Sequence, residues 1–217
     1  MDKTMILFDL DGTLTDPKVG ITRSIQYSLQ AFGIHVDNLD ELTPFIGPPL
    51  KDSYREFYSF SDDELEKVVE RYQEYFSQRG IFENKLYEGI DTLLKTLRDQ
   101  QKTLIVATSK PTVFAEKILK HFEIDQYFSF VAGSELDGGR SRKDLVIAHA
   151  FENMEIYNPH RAVMIGDREY DIMGAKRVGI DSIGVLYGYG SFAELSGAGA
   201  DHIVESVGAL SELLGAH

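Results

Sequence analysis

The stretch Met5-Ile6-Leu7-Phe8-Asp9-Leu10-Asp11-Gly12-Thr13 decides how the rest of this chain is read. Four apolar residues in a row predict a buried strand. A strand sends residues i and i+2 to the same side, so Asp9 and Asp11 converge on one point just past its carboxyl end. Two carboxylates that close repel, and without a cation one of them tends to stay protonated. A hard divalent ion relieves that repulsion, and Mg2+ binds through one or two carboxylates together with substrate phosphate. Gly12 lets the backbone turn sharply where the strand stops. A solvated Asp-Gly turn is the plainer reading of the same residues, and the apolar run ahead of them argues against it.

Three later segments add to this point. Thr103-Leu104-Ile105-Val106-Ala107-Thr108-Ser109 is a second strand of buried type, ending in hydroxyls. Lys143 follows the polar stretch Gly138-Gly139-Arg140-Ser141-Arg142. Ala162-Val163-Met164-Ile165-Gly166-Asp167 is a third strand with a carboxylate at its end, and Asp171 lies four residues on. In an open parallel sheet, ligands bind beyond the carboxyl ends of the strands. Asp9, Asp11, Thr108 and Asp167 all take that position.

With these four segments in this order, the chain resembles the phosphatases of the haloacid dehalogenase-like superfamily. Asp9-Leu10-Asp11-Gly12-Thr13 is similar to the first signature of that family, Thr108 to the second, Lys143 to the third, and Gly166-Asp167-Arg168-Glu169-Tyr170-Asp171 to the fourth. One departure is Lys143-Asp144, where the family often has Lys-Pro. Asp144 suits the start of a helix.

The alternation of strands and helices implies an α/β fold, a Rossmann-like parallel sheet with helices on both faces. One all-helical segment interrupts it. Asp16-Pro17 reads as a helix start with Pro17 in the first helical position. Ile21, Ile25, Leu29 and Phe32 form its apolar stripe and Gly33 its close. Pro44, Gly47, Pro48 and Pro49 mark an irregular loop. Ser61 with Glu64 is a capping-box signature ahead of Leu65, Val68, Val69, Tyr72 and Phe76. The aromatics Tyr54, Phe57, Tyr58, Tyr72 and Phe76 read as core by their helical period. The expected division is a catalytic core of residues 1–16 and 83–217 and a helical insertion of residues 17–82, which resembles the family's cap. Hinges are expected near Thr15-Asp16 and from Phe82 to Tyr87.

The resemblance implies a chemistry for each position. Asp9 is the nucleophile that attacks phosphorus to form an aspartyl-phosphate, which splits one hard step into two easier ones. Asp11 protonates the leaving alcohol and then takes a proton from the hydrolytic water. Mg2+ is held by Asp9, the main-chain carbonyl of Asp11, and Asp167. Asp171 orients a metal-bound water or Lys143. Thr108 and the N–H groups near Leu10, Asp11 and Ser109 hold phosphoryl oxygens, and Lys143 offsets negative charge at the transferring group.

Within the superfamily, Asp11 argues against dehalogenation. Lys18 and Lys51 lack a convincing context for Schiff-base phosphonate chemistry. Sugar phosphomutases carry a histidine in the first cap helix, and here none precedes His35. A phosphomutase, or a non-catalytic phosphometabolite-binding protein on the same fold, remain the rivals. Ile46-Gly47-Pro48-Pro49-Leu50 and Glu135-Leu136-Asp137-Gly138-Gly139-Arg140 resemble segments of phosphoglycolate phosphatases and 5′-nucleotidases, so the expected substrate is a small phosphate ester. Arg140 and Arg142 read equally as substrate contacts or as a solvated loop.

Composition sets the outer bounds. The chain has 217 residues, 43 % hydrophobic and 26 % charged, with a net charge of −13. That charge argues against a nucleic-acid polymer or an anionic membrane as partner. No apolar run reaches membrane-spanning length, and no signal peptide is evident. The absence of cysteine excludes disulfides and thiolate metal sites and fits a reducing cytoplasm. The six histidines, His35, His121, His149, His160, His202 and His217, have no ligand spacing.

Overall fold

Alternating apolar strands and amphipathic helices give the chain its order: Met5–Phe8 (β1), Thr15–Asp16 (β2), Lys18–Gln30 (α1), Leu50–Tyr58 (α2), Asp62–Gln78 (α3), Lys85–Leu86 (β3), Ile90–Asp99 (α4), Thr103–Pro111 (β4), Thr112–His121 (α5), Phe130–Ser134 (β5), Lys143–Asn153 (α6), Ala162–Gly166 (β6), Glu169–Val178 (α7), Asp181–Val185 (β7), Phe192–Ala198 (α8), His202–Val204 (β8) and Val207–Leu214 (α9). The computed structural model describes residues 3–156 and 158–216. Six strands form one parallel sheet in the order β5-β4-β1-β6-β7-β8. β1 is central, flanked by the strands that carry Thr108 and precede Asp167.

Strand alternation sorts the core into two layers. Ile6, Phe8, Leu104, Val106, Ile165 and Val185 face α4, α5 and α9. Leu7, Ile105, Ala107 and Met164 face α6 and α7 through Val146, Ile147, Ala150 and Ala175. A parallel sheet covered on both faces needs apolar residues at every position, which is why β1 and β6 read as unbroken apolar runs.

The helical insertion lies between β2 and β3, and these two short strands pair antiparallel, Thr15 with Leu86 and Asp16 with Lys85. Both expected hinge segments are therefore tied to each other. The capping box forms: the Glu64 carboxylate accepts from the Ser61 N–H at 2.9 Å and its hydroxyl at 2.7 Å. Leu65, Val68, Tyr72 and Phe76 of α3 are buried, and Phe76 meets Phe114 of α5 edge-on at 5.4 Å.

Several local expectations need correction. Pro17 caps α1 from outside rather than entering it, and Lys18 is the first helical residue, its N–H bonded to Asp16 Oδ1 at 3.1 Å. α1 ends at Gln30, and Gly33 serves the turn beyond it. The segment read as an irregular loop holds a 3-10 helix, Leu39–Phe45, with Pro44 inside it. Phe57 is 45 % exposed, since the residues α2 buries are Ser53 and Tyr54. β4 runs two residues past Ser109, with an irregularity between Ala107 and Pro111. Among the described residues, no helix is long and apolar enough to cross a membrane.

Candidate active site

Register places the reactive residues. Phe8, the last residue of β1, lies beside Val106 of β4 and Ile165 of β6. One step further, Asp9 leaves the sheet, and Thr108 and Asp167 follow on the neighbouring strands. The chain then folds tightly, with Leu14 and Thr15 N–H both bonded to the Leu10 carbonyl. Gly12 turns with φ +84°, and a Cβ there would lie 2.2 Å from Asp167 Oδ2. Glycine is required both for that backbone conformation and for the close approach.

Asp9, Asp11, Thr108, Lys143, Asp167 and Asp171 are all buried. Lys143, at the start of α6, donates to the Ala107 carbonyl at 2.9 Å and forms ion pairs with Asp9 Oδ1 at 2.9 Å and Asp171 Oδ1 at 2.7 Å. Burial opposes its charge, but Asp171 and Asp9 outweigh burial and hold its pKa above the usual lysine range. Asp9 Oδ1 also accepts the Leu10 N–H at 2.7 Å, so that amide is turned onto the Asp9 side chain. Asp171 Oδ2 accepts the Arg168 N–H at 3.1 Å; burial pushes its pKa up to about 6 against the pull of Lys143.

Asp167 has no such cation. Its Oδ2 accepts the Tyr189 N–H at 2.8 Å and its Oδ1 the Thr13 hydroxyl at 3.3 Å. Burial, with the charges of Asp171 and Asp9, raises its pKa well above the carboxylate range. Carboxylate oxygens of Asp9, Asp167 and Asp171 lie within 4.8 Å of one another. Three buried carboxylates, of which Lys143 pairs with only Asp9 and Asp171, suit a hard divalent cation, because isolated buried charges are costly. Of the histidines, His217 lies outside the described residues. The others enter no such cluster.

Asp11 turns away from that group to form an ion pair with Lys110, both side chains nearly buried. Its other oxygen, Oδ1, is buried without a partner. Burial raises the pKa of Asp11 despite the pull of Lys110. Thr108 accepts the Lys110 N–H at 3.2 Å. Asp9, Asp11, Thr108, Ser109 and Lys110 line one cavity of about 480 Å³, whose far wall comes from the insertion through Phe45, Leu50, Val69, Tyr72 and Phe76. Arg140 instead binds the Gly133 carbonyl and Glu135, and Arg142 binds Asp144. None of these arginine contacts reaches the cavity floor.

Three participants were not foreseen from the sequence. Lys110 shares the strand β4 with Thr108 two residues earlier, and that spacing was the signal for it. Tyr189 binds Asp167 through its N–H and Asp16, at the first hinge, through its hydroxyl. Arg168 reaches the Ile46 carbonyl and is braced by Glu194 at 2.8 Å. Tyr189 has no local signature, and Arg168, although it lies within the Gly166–Asp171 segment, has none for its reach to Ile46.

Comparison with known proteins shows the family. Residues 6–185 match the family model for haloacid dehalogenase-like hydrolases. The chain is 44 % identical to a 5′-nucleotidase of Pseudomonas aeruginosa, over 98 % of this chain and 96 % of that protein. It is 40 % identical to the tyrosine-protein kinase PtkA of Mycobacterium tuberculosis over 86 % of this chain, which spans 63 % of that protein's length. A solved structure of a predicted phosphatase from Clostridium acetobutylicum superimposes with a TM-score of 0.95 at 49 % identity, covering 98 % of each chain. On its sheet, its site and these relatives, the chain belongs to the haloacid dehalogenase-like hydrolases, and with the phosphatases among them.

Proposed function

We propose that this protein is a Mg2+-dependent phosphatase that hydrolyses small phosphomonoesters, of the phosphoglycolate or 5′-nucleotide type, through an aspartyl-phosphate on Asp9. The observation that carries the reading is the setting of Asp9. It lies on the cavity floor beside Thr108 and Ser109, and both of its polar contacts, Lys143 and the Leu10 N–H, fall on Oδ1. Its second oxygen is then the one that attacks phosphorus. The bond from phosphorus to the leaving oxygen breaks, and Asp11 supplies the proton to the departing alcohol. A water then attacks the aspartyl-phosphate, giving its proton to Asp11 and restoring Asp9. Thr108 and Ser109 bind phosphoryl oxygens, and Lys143 holds Asp9 in place and opposes the charge gathered there.

Asp9 and Asp167, with the Asp11 main-chain carbonyl, would hold the Mg2+, and Asp171 keeps Lys143 in position. The ion would supply positive charge against the phosphoryl oxygens. Residues 17–82 act as a cap that excludes bulk water and carries substrate choice, with 1–16 and 83–217 as the catalytic core. The apolar and aromatic far wall favours an ester with a sizeable leaving group, which suits a nucleoside 5′-phosphate, as the name of the Pseudomonas aeruginosa relative suggests.

The test is phosphate release from p-nitrophenyl phosphate with and without Mg2+, followed by kcat/KM across phosphoglycolate, nucleoside 5′-monophosphates and sugar phosphates. Mg2+-dependent release supports the reading. A folded protein that binds phosphate esters but turns none over would make it a binding protein. Isomerised sugar phosphate without net release would make it a mutase.

A further inference from the structure

Among the described residues, Lys110 is the lysine that lines the cavity beside Asp11 and that the phosphoryl chemistry leaves without a task. Its side chain is 6 % exposed, ion-paired to Asp11, and its ammonium stands 4.6 Å from the centre of the Phe76 ring, on the far wall. Among the described residues, Asp11 is the side chain its ammonium hydrogen-bonds. An ammonium has three donors. The ring face satisfies charge without accepting a conventional hydrogen bond, so donor capacity is left at a point bounded by Asp11, Phe76 and the cavity.

That point has a chemical meaning. Asp11 delivers its proton to the ester oxygen of the leaving group, so whatever lies within reach of Asp11 on the leaving-group side is the first carbon or two beyond that oxygen. A buried cation there costs free energy unless it is paired. Lys143 is held by its hydrogen bond to the Ala107 carbonyl and by ion pairs to Asp9 and Asp171, and it is not among the residues that line the cavity.

We infer that Lys110 is a substrate-binding residue that recognises an oxygen atom carried on the carbon next to the ester carbon of the leaving group. This rests on the phosphatase reading above and adds the part of the substrate that is read. Two sources present such an oxygen: a carboxylate, as in phosphoglycolate, and a sugar ring oxygen, as in a nucleoside 5′-monophosphate. A simple alkyl phosphate presents none. The contact forms between a core residue and a ring of the insertion, so it is made only with the insertion seated over the site.

The experiment compares kcat/KM for phosphoglycolate and for AMP, each divided by kcat/KM for ethyl phosphate, in wild type, Lys110→Met and Lys110→Arg. Dividing by ethyl phosphate removes any general effect passed through Asp11. A hydrogen bond to a charged group contributes about 1.5–3 kcal/mol, so Lys110→Met should reduce at least one of the two ratios by roughly 10- to 100-fold. The loss should lie mainly in KM, and Lys110→Arg should restore part of it. The arm that falls identifies the source of the oxygen. Both ratios unchanged in Lys110→Met, with all three esters slowed equally, would show that Lys110 only positions Asp11 and would overturn the inference alone. A wild-type protein inert toward every ester would overturn the phosphatase reading, and this inference with it.

Discussion

Arg168 donates to the main-chain carbonyl of Ile46 at 2.5 Å, so the residue next to Asp167 leaves the core and holds a loop of the helical insertion. Glu194 braces the same guanidinium at 2.8 Å and accepts the Glu169 N–H at 3.0 Å. The loop beyond Ile46 packs on the arginine stem: a Cβ at Gly47 would lie 2.7 Å from Arg168 Cγ. Asp167 and the loop expected to choose substrates are thus mechanically joined.

Replacing Arg168 with Met should loosen that joint. Losing hydrogen bonds of a charged, mostly buried group costs about 1–3 kcal/mol, or roughly 3–10 °C in Tm for a chain of this size. Limited proteolysis should become faster around residues 39–49. Gly47→Ala should act on the same joint from the other side: φ is +106° there and the added Cβ would press on Arg168, so the Tm should fall and the ranking of esters by kcat/KM should change with it. A ranking identical to wild type would mean the loop supports the fold and nothing more.

Asp9→Asn is nearly isosteric and keeps an oxygen for Lys143, but an amide is a poor nucleophile. Turnover should fall by at least about 1,000-fold, the scale lost when a covalent nucleophile is removed. The Tm should stay within a few degrees of wild type. Phosphate-release assays beside a thermal melt check both halves. A folded variant with comparable turnover would falsify the covalent mechanism.

Asp167 has two hydrogen bonds and no ammonium, and it repels Asp9 and Asp171. Asp167→Asn removes one of the mutually repelling carboxylates, so without Mg2+ the variant should melt at the same temperature as wild type or higher. With Mg2+ added, wild type should gain stability by mass action and the variant should gain less. Its activity should require far more Mg2+. Equal Mg2+-induced shifts in the two proteins would remove Asp167 from the metal site.

Lys143 separates Asp9 from Asp171, and Lys143→Met leaves two buried carboxylates uncompensated. Breaking a buried ion pair costs about 3–5 kcal/mol, so the Tm should fall on the order of 10 °C and activity should vanish. Gly174→Ala gives a finer test. Alanine ordinarily stabilises a helix interior by about 1 kcal/mol over glycine. At this position its Cβ would meet Lys143 Cβ at 2.7 Å, so α7 must move away from α6. Gly174→Ala should therefore lower kcat and fail to raise the Tm; a more stable, fully active variant would show that the two helices have slack.

By itself the sequence determined the elements that depend on neighbours along the chain. The apolar runs of β1 and β6 and the Ser61–Glu64 cap follow from neighbours two, three or four residues apart, because strand and helix geometry fix where such neighbours point; the expected convergence of Asp9 and Asp11 does not, since β1 stops at Phe8 and the two carboxylates take different lysines. The strands that carry Thr108 and lead to Asp167 were legible from their apolar runs, as were the helices that follow β1. Tertiary structure alone decided what depends on distance in sequence. It turned the Asp11 carboxylate toward Lys110, 99 residues on. It laid Phe76 of the insertion over that lysine. It set the Tyr189 N–H on Asp167 and the Arg168 guanidinium on Ile46, 122 residues away. None of these contacts has a local period, since each is made where separate elements pack against one another. What fixes them is the packing of loops and helices above the sheet edge, which places buried charges where only particular partners can satisfy them.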